Sequence, residues 1–106
     1  MISFERGDVV LVDLGSVAKI RPCLVVSINS PDSQRNMSVV VPMTTEIRGG
    51  ECEVPFPKPR WLKEKSVINV LGISGVDNAK IIRRIAPFPA PELERVFETI
   101  ARMLGL

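Results

Sequence analysis

Three short apolar runs rich in Val and Ile follow one another early in the chain, each set off by turn-forming residues. The first, Val9-Val10-Leu11-Val12, is opened by Arg6-Gly7-Asp8 and closed by Asp13-Leu14-Gly15-Ser16. The second, Cys23-Leu24-Val25-Val26-Ser27-Ile28, follows Pro22 and ends at the turn cluster Asn29-Ser30-Pro31-Asp32, and the third runs from Met37 through Ser38-Val39-Val40-Val41 to Pro42. Runs this short are too brief for stable helices, and β-branched side chains suit a pleated surface, so all three are predicted to be buried strands. Three buried strands packed so closely in sequence imply a curled sheet or a small barrel.

Further on, Arg48-Gly49-Gly50 reads as a turn, and Glu51-Cys52-Glu53-Val54-Pro55-Phe56 alternates polar with apolar, the pattern of a strand with one wet face. Pro55 points to an edge position, because proline cannot donate to a ladder. Ser66-Val67-Ile68-Asn69-Val70-Leu71 is predicted to be another strand, with Gly72 and Gly75 bracketing a bend. Asp77 is expected to start a turn that leads into a short strand ending near Ile85. The C-terminus differs in kind. Pro91 suits the first helical turn, Glu92 and Glu94 suit the positive end of the helix dipole, and Leu93, Val96, Phe97, Ile100 and Leu104 recur at helical spacing before Gly105. That stripe must pack on the sheet or on a partner.

A chain of 106 residues fits one domain spanning 1–106, since two cores would each bury too little surface. No apolar run approaches the roughly 20 residues needed to cross a bilayer, and the opening Met1-Ile2-Ser3-Phe4-Glu5-Arg6 does not read as a secretory signal, so a cytoplasmic protein with no membrane partner is expected. Cys23 and Cys52 read as buried free thiols rather than a disulfide, in keeping with a reducing compartment. Between Lys58 and Arg84 seven basic residues face two acids, a surface that suits phosphates or an acidic peptide but equally a solvated face. Histidine is absent altogether, which removes the usual general base near neutral pH and the commonest metal ligand. Any enzyme built on this chain works without it, and no cofactor is expected.

Arg21, directly before Pro22, stands at the entrance to a buried strand, where a guanidinium is held on a rigid scaffold and can grip a phosphate with two parallel hydrogen bonds. Thr44-Thr45-Glu46 stands at the exit of the next run after Pro42-Met43, offering two hydroxyls and a carboxylate. Each also has an ordinary reading, as a strand-end arginine and as strand or turn threonines. The order Arg-Pro, apolar run, turn, apolar run, Thr-Thr is more informative than either part.

At this point the sequence resembles the MazF/PemK family of type II toxin–antitoxin endoribonucleases. The matching elements are Gly7-Asp8-Val9-Val10-Leu11-Val12-Asp13, Arg21-Pro22-Cys23-Leu24-Val25-Val26-Ser27, Val41-Pro42-Met43-Thr44-Thr45, Glu51-Cys52-Glu53-Val54, Ser66-Val67-Ile68 and Pro91-Glu92-Leu93-Glu94-Arg95-Val96, which together span nearly the whole chain. The resemblance implies a mainly β fold with a C-terminal α-helix, an SH3-like small β-barrel of the MazF/PemK/CcdB type that forms a homodimer. It also implies cleavage of single-stranded RNA by attack of a ribose 2′-hydroxyl on the adjacent phosphate, with Arg21 and Thr44 as catalytic residues and no metal. The candidate substrate-binding residues beside them and beyond the Ser66 strand are Lys19, Thr45, Glu46, Arg48, Ser74 and Asp77. The implied partners are single-stranded mRNA and a cognate antitoxin with an acidic disordered tail. The chain departs from the family where Asp-Gln is usual and Leu71-Gly72 stands here. An alternative is therefore a non-catalytic protein on the same scaffold that binds RNA, antitoxin or a protein target such as gyrase.

Overall fold

A computed structural model describes residues 2–15, 19–29 and 35–106. The first three runs form β1 (Asp8–Asp13), β2 (Ile20–Val25) and β3 (Met37–Thr44), each antiparallel to the one before it. Their apolar residues are continuous rather than alternating because both faces of this sheet are covered. On one face Val9, Leu24 and Val41 join a core with Ile68, Val54, Phe56 and Phe88; on the other Val10, Cys23 and Val40 pack with Val12, Val25 and Ile81.

The remaining strands are β4 (Glu53–Pro55), β5 (Val67–Asn69), β6 (Ser74–Asp77) and β7 (Ile81–Pro87). The main path runs β4-β5-β3-β2-β1-β7, with β6 also paired to β3. One edge of β3 is therefore divided, β6 taking Met37–Val40 and β5 taking Met43 and Thr44. Register shifts between β1 and β7 add to the bend, as bulges do. The result is a curled, barrel-like sheet that stays open, since β4 and β7 end the path without pairing to each other. Pro55 does lie on the edge strand.

Some element expectations need correction. The second run stops being strand at Val25, and Ile28 is exposed. The Ser66–Leu71 run yields only β5 before a 3-10 turn at Val70–Gly72: the Val70 N–H still donates across to the Cys52 carbonyl at 2.9 Å, the next rung of the β4–β5 register, and the Ile73 N–H then closes the turn on the Val70 carbonyl at 3.1 Å. The bend expected between Gly72 and Gly75 is largely the strand β6. Cys52 is half-buried rather than buried, and both cysteines are free. The turn predicted at residues 29–32 lies mostly outside the described residues, as does the middle of the loop 14–20.

Helix α1 (Ala90–Met103) carries Pro91 in its first turn and closes at Gly105, whose φ of 75° is the left-handed value glycine tolerates. The Leu106 N–H reaches the Ala101 carbonyl at 2.8 Å and the Gly105 N–H reaches that of Arg102 at 3.1 Å, which satisfies carbonyls the helix would leave unpaired. Val96 is buried, and Leu93, Ile100 and Met103 pack on the first core, so most of the helical stripe is spent inside the subunit; Leu104 stays exposed. Phe97 lies under the Arg6 guanidinium, 3.9 Å from its ring centroid. The buried Asp8 carboxylate binds Arg84 through Nε at 2.9 Å and Nη2 at 3.2 Å, pinning β1 to β7.

Candidate active site at the Arg21–Thr44 mouth

The last paired residues of β2 and β3 toward one end are Cys23 and Pro42. Pro22 lacks the N–H that its place in the ladder would direct at β3, and the pairing of β2 with β3 ends beside it. Arg21 lies two residues before Cys23 and Thr44 two residues after Pro42, which in an antiparallel pair is the same end. Two steps along a strand return a side chain to the same face, and Cys23 and Pro42 face each other, so Arg21 and Thr44 emerge on one face of neighbouring strands. Arg21 is exposed and Thr44 half-buried. Burial pushes the Cys23 thiol up to about 12, with the nearby Arg21 charge acting in the opposite direction. Cys23 is thus a neutral packing residue.

The Thr44 hydroxyl accepts a hydrogen bond from the Glu46 N–H at 3.1 Å, which leaves its own proton available to a ligand oxygen. Lys19 has a φ of 63°; its N–H donates to the Gly15 carbonyl at 2.8 Å and its carbonyl accepts from Leu14 at 3.0 Å. That turn feeds β2 and sets Lys19 two residues from Arg21. Thr45 and Glu46 follow Thr44 in an exposed loop, where Glu46 pairs with Arg48 at 3.0 Å. Those two side chains are 74% and 80% exposed, so the pair contributes little to stability. The loop is held instead by Glu53, whose carboxylate accepts from the backbone N–H groups of Arg48 and Gly49, the latter at 2.8 Å.

Beside Thr44 opens a groove of about 690 Å³ lined by Glu46, Arg48, Glu53, Asn69 and Leu71 among others. Asn69 was not among the expected site residues, its one signal in the sequence being a polar residue inside the apolar Ser66–Leu71 run, whereas Leu71 stood out only as the departure from the family's usual Asp-Gln. Gly72 closes the turn after Asn69, and a Cβ there would fall 2.7 Å from Pro42 Cγ, so this corner has no room for a side chain unless Pro42 moves.

Ser74 and Asp77 are not brought to this mouth. Ser74 pairs with Val40, and Asp77 pairs with Met37, seven residues along β3 from Thr44 or roughly 23 Å at strand spacing. The Asp77 carboxylate caps its own turn by accepting from the Ala79 N–H at 2.9 Å. The basic stretch is divided as well. Lys58, Arg60, Lys63 and Lys65 stand in the connection between β4 and β5 beside Trp61, Arg83 stands on β7, and Arg84 directs its charge to Asp8. Among the described residues no cluster of His, Cys, Asp or Glu is arranged to hold a metal ion, and no helix is long and apolar enough to cross a membrane.

The sequence profile describing the PemK-like, MazF-like toxin of type II toxin–antitoxin systems matches residues 5–104. The chain belongs to this toxin family. Its fold matches an endoribonuclease solved in complex with its cognate antitoxin from a mycobacterial species, with a TM-score of 0.82 at 23% identity over 98% of this chain and 97% of that one. It is similar too to the Mycobacterium tuberculosis toxin MazF-mt6, with a TM-score of 0.80 at 23% identity over 93% and 97% of the two chains. A MazE–MazF crystal structure from Deinococcus radiodurans gives 0.80 at 22% identity over 100% and 99%. At these identities the likeness establishes the MazF fold and leaves chemistry to the residues. No curated protein sequence gives a significant match.

Proposed function

We propose that this chain is the toxin of a type II toxin–antitoxin pair and cuts single-stranded RNA with Arg21 and Thr44, without a metal. One observation carries the reading: a guanidinium and a hydroxyl far apart in sequence emerge on one face at one open end of adjacent strands. A backbone phosphodiester fits between two such groups. The ribose 2′-oxygen forms a bond to the neighbouring phosphorus while the bond from phosphorus to the 5′-oxygen breaks; the 2′-hydroxyl proton is lost and the leaving 5′-oxygen gains one. Arg21 offsets the negative charge that grows on the non-bridging oxygens, and Thr44 orients the phosphate by donating its remaining proton. Lys19 adds positive charge on the Arg21 side. Substrate-binding roles for Glu46 and Arg48 fit their place in the groove lining, with Thr45 in the same exposed loop, whereas Ser74 and Asp77 lie elsewhere and are left out of this site.

The chain acts in the cytoplasm as a homodimer, and a cognate antitoxin with an acidic tail covers the mouth. Exposed Ile20, Leu71 and Ile82 supply apolar surface for these contacts, now that most of the helical stripe is spent within the subunit.

The test is incubation of the purified chain with single-stranded RNA in excess chelator. Fragments ending in a 2′,3′-cyclic phosphate and beginning with a 5′-hydroxyl are expected, and intact RNA overturns the reading. The second reading, binding without cutting, is favoured by one observation, the apolar and 68% exposed Leu71 where the family usually carries an acid. Intact RNA together with salt-sensitive binding would select it.

A further inference from the structure

Resting on the reading of this chain as an RNA-cutting protein, we infer that Glu53 is a positioning residue for the cut: its carboxylate fixes the loop 45–50, and through that loop the Glu46 N–H that aims the Thr44 hydroxyl. The loop is the starting point. Every residue from Thr45 to Glu51 is exposed, Ile47 included, so no side chain of its own ties the loop to the core. The Glu46–Arg48 pair lies within the loop and open to water, and anchors it to nothing else. Left to itself, a stretch of this kind samples many backbone conformations.

Glu53 supplies the tether. It stands on the edge strand β4 opposite Asn69 of β5, between half-buried Cys52 and buried Val54, so its backbone belongs to the sheet. Its Oε1 accepts from the Gly49 N–H at 2.8 Å and from the Arg48 N–H at 3.1 Å, and Oε2 accepts from the Arg48 N–H at 3.0 Å. Its own N–H donates to the Gly50 carbonyl at 3.2 Å. Two consecutive N–H groups aimed at one carboxylate form a small anion nest, and bonds to a charged acceptor are the stronger kind. The left-handed φ of 74° at Gly49 is the turn that such a nest requires.

At its other end the loop is tied to the site. The Ile47 N–H donates to the Thr45 carbonyl at 3.0 Å, and the Glu46 N–H donates to Thr44 Oγ1 at 3.1 Å. The second bond holds the threonine in one staggered rotamer and turns its proton away from the loop. Once the loop is released, the Glu46 N–H turns with it and the hydroxyl divides its time among rotamers; a misplacement of about 1 Å at a reacting group can cost about 10²-fold in rate. Glu53 acts without touching the phosphate, so its effect belongs in kcat rather than KM.

The test compares Glu53→Ala, Glu53→Asp and Glu53→Gln in the full-length protein by steady-state RNA cleavage. Alanine removes the acceptor and aspartate falls a methylene short of Gly49, so each is expected to lower kcat roughly 10- to 100-fold with KM within about threefold. Glutamine, whose amide oxygen can take both N–H groups as Oε1 does, is expected to stay within about fivefold of wild type. In a Thr44→Val background Glu53→Ala or Glu53→Asp should change kcat by less than about twofold, since the group being positioned is gone. Wild-type kcat in both the alanine and aspartate variants, glutamine as slow as alanine, or the same loss with and without the Thr44 hydroxyl overturns the inference and leaves the nuclease reading intact. If wild type cuts nothing, that reading fails by itself, and NMR relaxation of the backbone amides decides the tether. An order parameter of about 0.85 at Glu46 that falls below about 0.6 in Glu53→Ala or Glu53→Asp and returns in Glu53→Gln supports it, and an unchanged value overturns it.

Discussion

At the Met37 end of β3, Ser38 donates to the Asn78 side chain at 2.6 Å, Asn78 donates to the Asn36 side chain at 2.9 Å, and Asp77 caps the adjoining turn. At the Thr44 end a comparable set of small polar residues is spent only in part. Thr44 uses its acceptor but keeps a donor, the Asn69 amide is unengaged among the described residues, and the pairing of β2 with β3 ends beside Pro22. Polar side chains near a sheet have either to satisfy one another or to remain open to a ligand, and the two ends of one strand illustrate both outcomes. The contrast separates residues that hold the fold from residues that act, even where the amino-acid types are alike.

Substitutions break that contrast in graded ways. Arg21→Ala is expected to have the largest effect, slowing RNA cleavage by about 10²–10³-fold, the usual loss when one charge-stabilising donor is removed. Circular dichroism and melting temperature should stay near wild type because the side chain is exposed. Thr44→Val keeps the shape and removes the hydroxyl; loss of a hydrogen bond to a charged phosphate, worth about 1.5–3 kcal/mol, lowers the single-turnover rate roughly 10–100-fold. At the opposite end Asn78→Ala should reverse the pattern. It strands the buried Ser38 hydroxyl, costing about 1–3 kcal/mol in urea unfolding, while the cleavage rate of the folded protein is unchanged. A cleavage defect in Asn78→Ala, or a large stability loss in Arg21→Ala, would erase the distinction between the two ends.

The strands legible in the sequence were those buried on both faces, since Val9-Val10 and Leu24-Val25 leave apolar runs with no interruption. The helix was legible for a different reason, its local start and stop chemistry at Pro91 and Gly105. Strand β6 was not: Ser74-Gly75-Val76-Asp77 holds one apolar residue and forms because the edge of β3 needs a partner, a long-range requirement. The same limit governs the site. Arg21 and Thr44 could be picked out by their places at the mouths of apolar runs, but Asn69 reads as an ordinary wet-face residue until β5 is set between β3 and β4. Asp77 shows the converse, since a residue close in sequence to the site stretch is carried to the far end of β3 by the pairing of β6.

The contact between Gly72 and Pro42 has a consequence for how such a groove can diversify. Because the proline ring occupies the volume that a side chain at 72 would enter, the two positions are coupled in the order of their replacement. A mutation at 42 opens the way for one at 72, while the reverse order passes through a clash. Variation in what this corner offers a ligand is thus gated by a residue whose own ring belongs to the neighbouring strand.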